Sequence, residues 1–122
     1  MTMMEYVDGY VLPVPKSKID LYRSIAEKTG KIWKEHGALE YCECIGDDFD
    51  VKDLVPFPRL TGAQPDETVV FAWIVFKSRE HRDQVNAKVM ADPRIKEMAD
   101  PANPSFDCKR MAYGGFSVLV EA

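Results

Sequence analysis

Val69-Val70-Phe71-Ala72-Trp73-Ile74-Val75-Phe76 is apolar at every position and runs straight into Lys77-Ser78-Arg79-Glu80, the opening of a polar-faced helix. A strand without a polar face has to be covered on both sides. A chain of 122 residues can lay its own helices over one face of a small sheet. The second cover is therefore expected from another copy of the chain, as a homodimer.

The bulk properties fit that picture. At 13.9 kDa the chain suits one domain, spanning residues 1–122, large enough to bury roughly two thirds of its unfolded surface. A net charge of -4 lacks the basic surplus that a nucleic-acid binder uses. No apolar run approaches the roughly 18 residues that cross a bilayer, so no membrane span is expected. Met1-Thr2-Met3-Met4-Glu5 has no charged leader followed by an apolar core. Three cysteines, two of them in Cys42-Glu43-Cys44, make a poor disulfide framework and suit a reducing compartment. The expectation is a cytoplasmic protein with free, buried thiols.

Working outward from the decisive strand, Tyr6 to Val14 alternates as a first strand that Pro13 and Pro15 would end. Ser17 and Asp20 resemble a capping box, and Tyr22, Ile25, Ala26, Thr29, Ile32, Trp33 and His36 recur at helical spacing up to Gly37. Leu39 to Gly46 is a second strand. Asp47 to Glu67 has no sustained period and reads as an extended arm whose Leu54, Val55, Phe57 and Leu60 lie across a partner. Ser78 caps a helix carrying His81, Val85 and Val89, and Asp92-Pro93 starts a short one running to Ala99. Lys109 to Glu121 is the last strand, with a bulge or close backbone approach at Gly114-Gly115.

Strand, helix, strand, taken twice, is the α+β ferredoxin-like βαββαβ pattern, an antiparallel four-stranded sheet with helices on one face. The helix-free face is expected to carry Tyr6, Tyr10, Leu12, Tyr41, Phe71, Trp73, Met111 and Tyr113. Left exposed, such a face would exceed the apolar patch that a monomer normally shows.

Three stretches carry a resemblance: Tyr6 to Pro15 (YVDGYVLPVP), the run from Val69 through Lys88, Met90 and Asp92-Pro93-Arg94, and the run from Phe106 through Lys109-Arg110-Met111 to Tyr113-Gly114-Gly115-Phe116. Together they resemble the YbaA-like family of small uncharacterised bacterial proteins. The resemblance implies the dimeric α/β barrel shared with antibiotic-biosynthesis monooxygenases, haem-degrading monooxygenases and muconolactone isomerases, and it implies no established activity. It also brings a minor reading of RNA association, which the acidic balance opposes.

Among single residues Asp8 stands out, because a carboxylate within an aromatic strand face is desolvated and its proton affinity raised. As a base it would take a proton from a carbon acid or phenol, with Tyr6, Tyr10 or Tyr113 steadying the oxyanion. The competing structural reading pairs it with Lys109 or Arg110 on the last strand. Tyr6, Phe71, Trp73, Lys109 and Arg110 are the expected ligand-binding set. His81 shares a stripe with Val85 and Val89 and reads as a half-buried structural histidine rather than a haem ligand. Cys42 and Cys44 without convergent partners do not make a zinc site, and Asp47, Asp48, Asp50 and Asp53 lack the calcium-loop pattern. No metal and no cofactor is expected. Arg79, Arg82, Asp83, Asn86 and Lys88 read as a polar helix set that positions the helix on a dimer partner.

The leading expectation is a homodimer binding a small apolar or aromatic molecule between the helix-free sheet face and its cover. A cofactor-independent enzyme with Asp8 as base is the alternative.

Overall fold

The structure is a computed structural model that describes residues 5–98 and 104–122. Met1 to Met4 and residues 99–103, which include the expected end of the short helix at Ala99, lie outside the described residues. Strand β1 (Tyr6–Pro15) leads into helix α1 (Ile19–Glu35) and strand β2 (Glu40–Ile45); a short helix α2 (Phe57–Thr61) precedes strand β3 (Glu67–Phe76). Helices α3 (Arg79–Met90) and α4 (Pro93–Met98) then lead to strand β4 (Ala112–Ser117). The sheet order is β2-β3-β1-β4, antiparallel throughout, which is the ferredoxin-like arrangement.

The decisive strand sits between β2 and β1, and its even-numbered residues face the helices. Ile74 and Phe76 pack with Ile32 and Trp33 of α1 and Val85 and Val89 of α3, while Val70 joins Leu12 and Val14 of β1. Burial of these side chains at about 1.5–3 kcal/mol each supplies the main cohesion of the fold.

The register divides the expected aromatic face in two. Cross-strand partners point the same way. Tyr10 pairs with Ala72 and Tyr113, whereas Phe71 pairs with Val11. Tyr6, Tyr10, Leu12, Tyr41, Met111 and Tyr113 therefore belong with the helix-bearing side, and Phe71 and Trp73 with the helix-free side. The expectation that all eight share the uncovered face is overturned by this one-residue offset.

Part of the second cover comes from the chain itself. The segment 46–66 folds back so that α2 rests on β1 and β3, with the Phe57 and Phe71 rings 6.1 Å apart. Phe57 thus lies on its own sheet, while Leu54, Val55 and Leu60 stay exposed. Arg110 ties the segment down, donating to Glu67 at 2.8 and 2.9 Å and to the Gly62 carbonyl at 2.8 Å.

Local signals were mostly kept. Ser78 accepts from the His81 amide at 3.1 Å and Asp92 from the Arg94 amide at 2.9 Å, as N-caps should. Gly37 closes α1 at φ +118°. The Ser17–Asp20 capping box does not form, because a tight turn over Lys16–Lys18 moves the helix start to Ile19. β1 continues through Pro13 to Pro15, where β4 no longer flanks it and a missing N–H can face the unpaired edge. β4 is shorter than expected and pairs without a bulge, Gly114 with Gly9 and Gly115 with Asp8. The close approach is real: a Cβ on Gly115 would meet the Tyr6 hydroxyl at 2.3 Å.

Candidate functional site

Asp8 projects from the middle of β1 into the layer between sheet and helices and is 0% exposed. Its Oδ1 accepts from Nη1 of Arg82 at 2.8 Å, and the same nitrogen donates to the Tyr113 hydroxyl at 2.8 Å. The guanidinium lies 5.0 Å from the Tyr6 ring centroid, and its Nε donates to Asp83 at 2.8 Å. The expected partners are not there. Gly115 faces Asp8 on β4, Lys109 is exposed in the turn before that strand, and Arg110 is engaged with Glu67. Arg82, read from the sequence as one of a polar set that positions the helix on a dimer partner, is the counter-ion because α3 lies over the same face as Asp8.

Among the described residues Oδ2 of Asp8 has no hydrogen-bond partner. Burial pushes the Asp8 carboxyl up, against the opposing pull of Arg82 and the nearby Tyr113 and Asn86. Tyr10 and Tyr113, whose rings lie 4.9 Å apart, are likewise pushed up by burial and then by the Asp8 charge. Tyr10 also lines a cavity.

That cavity, 240 Å³, lies between α1 and the sheet. Tyr10, Ile25, Trp33, Ala72, Phe106 and Met111 form much of its wall. Its acidic residue is Glu43 of β2. Tyr22 donates its hydroxyl to Glu43 Oε1, and Tyr41 donates to Oε2 at 2.5 Å. Burial first, then the Glu43 charge, holds both phenols above their ordinary range, so both remain neutral donors. A more open hollow of 660 Å³ lies alongside α1 and shares Tyr22, Ala26, Tyr41 and Glu43. Gly30 makes this packing possible, since a Cβ there would meet Cδ1 of Tyr41 at 2.7 Å.

The expected site residues are thus split. Asp8, Tyr10, Tyr113 and Tyr6 come together beneath the helices; Phe71 and Trp73 stand on the opposite face with Phe116; Lys109 and Arg110 join neither group. The 240 Å³ cavity lies on the helix-bearing face; on the helix-free face a hollow of 350 Å³ opens between Val69 and Phe71 of β3 and Phe49, Leu54, Val55 and Phe57 of the arm. Glu43 and Tyr22 were missed. The signal was present: Glu43 alternates with Cys42 and Cys44 and so shares the face of Tyr41, and Tyr22 lies on the apolar stripe of α1.

Asn86 also turns inward, accepting from Trp33 Nε1 at 3.3 Å, so Arg82 and Asn86 serve their own sheet and α1, while Arg79, Asp83 and Lys88 of the polar set on α3 stay exposed. His81 is half-buried, its Nδ1 accepting from the Lys77 amide at 3.0 Å and its ring edge-on to Phe76. Cys42 and Cys44 are free, with sulfurs 3.9 Å apart, and are more exposed than expected because they face away from the helices. Among the described residues no group of three or more His, Cys, Asp or Glu side chains could hold a metal ion, and no helix is long and apolar enough to cross a membrane.

The chain matches the family described as "Protein of unknown function (DUF1428)" over residues 5–108. It is 43% identical over 118 residues to the uncharacterized protein YbaA of Escherichia coli strain K12, covering 97% of this chain and 99% of that protein. The YbaA protein of Shigella flexneri matches equally. Among solved structures, a dimeric ferredoxin-like protein from an uncultured marine organism aligns with a TM-score of 0.60 at 12% identity, covering 98% of this chain and 99% of that one. A NIPSNAP family protein with unknown function from Agrobacterium tumefaciens aligns at 0.58 and 18% identity, covering 96% and 89%. At these identities the structural likeness is one of fold, while the sequence likeness carries the family. The chain, ferredoxin-like in fold, belongs to the DUF1428 family and is similar to YbaA over nearly its whole length.

Proposed function

We propose that the protein is a cytoplasmic homodimer that binds a small apolar or aromatic molecule in the cleft between α1 and the sheet. The observation that carries this reading is the 240 Å³ cavity, walled by aromatic and aliphatic side chains around one carboxylate. Protein interiors leave few voids larger than a water molecule, and apolar cavities with a few convergent polar groups are the usual form of a small-molecule site. The three free cysteines suit a reducing compartment.

The dimer is supported by the helix-free face, where Phe71 is 44% and Phe116 62% exposed. Leu54, Val55 and Leu60 extend the apolar surface along the arm. A fold neighbour is described as dimeric. Light scattering at low micromolar concentration should return about twice 13.9 kDa; the monomer mass would remove this part of the proposal. The base reading of Asp8 with Tyr10 and Tyr113 remains the alternative, supported by the unpartnered Oδ2 and opposed by the ion pair with Arg82. Asp8 lines neither hollow beside α1. RNA association gains no support from a chain of charge -4.

Calorimetric titration with 2-phenylethanol tests the cleft. Saturable binding, about one molecule per protomer, is expected. Ala72→Leu places a larger side chain at the cavity wall and should abolish it at a stability cost of no more than about 1–3 kcal/mol. Binding that survives Ala72→Leu unchanged would count against the cleft.

A further inference from the structure

The charge inside the cleft is unbalanced. The cavity wall includes Glu43 and no basic side chain, and among the described residues no Lys, Arg or His forms an ion pair with that carboxylate. Arg23, Lys31 and Lys34 line the outer hollow, which Glu43 also borders together with Glu27 and Glu35, and none of them lines the cleft. Arg23 is bonded to Asp20 and Lys34 to the Leu39 carbonyl.

We infer that the cleft selects an aromatic or alkyl amine, bound as its cation, with Glu43 as counter-ion. This deepens the proposal above and rests on the cleft being the ligand site. A half-buried carboxylate facing apolar walls is costly without an opposite charge. The two tyrosine hydroxyls satisfy one acceptor position on each oxygen, and a carboxylate oxygen has a second to offer. An ammonium group can take those positions. Neither tyrosine needs to move, and neither can supply the missing charge.

The walls fit the same cation. Trp33 and Tyr41 stand with ring centroids 6.3 Å apart beside Glu43, and Tyr22 packs edge-on to Phe106 at 5.7 Å. Cations are attracted to such ring faces. A carboxylic acid of the same shape would meet Glu43 as a like charge, and a neutral alcohol leaves it uncompensated. At 240 Å³ the cavity falls below the roughly 300–1,000 Å³ of larger ligand clefts, so the body of the amine is limited to about one ring.

The experiment compares 2-phenylethylamine, 2-phenylethanol and phenylacetate by calorimetry at neutral pH on wild type and Glu43→Gln. Wild type is expected to bind the amine at least about tenfold more tightly than the alcohol and to reject the acid. In Glu43→Gln the amine should fall to the level of the alcohol, whose affinity stays unchanged. Should that variant fail to fold, Tyr41→Phe keeps the carboxylate and is expected to keep the preference. Equal binding of amine and alcohol by wild type, or a preference that survives Glu43→Gln, would overturn the inference while leaving the cleft as a binding site. Binding of none of the three would overturn both.

Discussion

Asp8 and Arg82 are 74 residues apart and share the most buried charge pair among the described residues, with side-chain exposures of 0% and 12%. The sequence makes Asp8 conspicuous but hides its partner, because a helix wheel cannot say which polar residue of α3 dips toward the sheet. The pair makes a measurable claim. Arg82→Leu leaves Asp8 buried without a counter-ion and should cost about 3–5 kcal/mol at neutral pH. Burial already raises the Asp8 carboxyl, and losing Arg82 raises it further, while the unfolded chain keeps a value near 3.9. A folded-state group raised in this way is protonated at low pH, and its charge becomes a burden as pH rises through its folded value. The deficit of Arg82→Leu should therefore shrink from pH 7 toward pH 5 in urea unfolding. An equal deficit at both pH values would mean that Asp8 does not bear the penalty. Glu43 was less conspicuous for a related reason: placed between two cysteines, its face is decided by Tyr41.

At the scale of elements, existence and order could be read from the sequence, while registers could not. The eight-residue apolar run, the Ser78 and Asp92 caps and Gly37 each fix a local conformation through neighbours close in sequence. Which strand residues meet which helix depends on pairings such as Tyr10 with Ala72, and shifting them by one exchanges the faces. That is why the aromatic residues were assigned to one side. The contact of α1 with β2 shows the same limit. By helix propensity alone, Gly30→Ala should stabilise α1 by about 1 kcal/mol. The Tyr41 ring under Gly30 leaves no room for the methyl group, so the substitution is expected instead to destabilise by about 1–3 kcal/mol. Thermal melts of the variant decide between these signs, and a raised melting temperature would show that α1 does not rest on Tyr41 as described.

The two faces of the sheet differ in what they present. The helix-bearing face holds the Asp8 cluster and the cleft around Glu43; the helix-free face offers Phe71, Trp73 and Phe116 beside an arm that covers only part of it. The need for a second cover was legible in the apolar run of β3, and the arm's partial cover was not, since segment 46–66 has no period to announce where it folds. The central claim is that ligand binding belongs to the first face and self-association to the second. Amide chemical-shift mapping during titration with 2-phenylethylamine tests it most directly. The account predicts the largest shifts along α1 from Tyr22 to Trp33 and in β2 from Tyr41 to Glu43, with the amides around Phe71, Trp73 and Phe116 little changed. Shifts concentrated at Phe71, Trp73 and Phe116, with α1 and Glu43 silent, would contradict it.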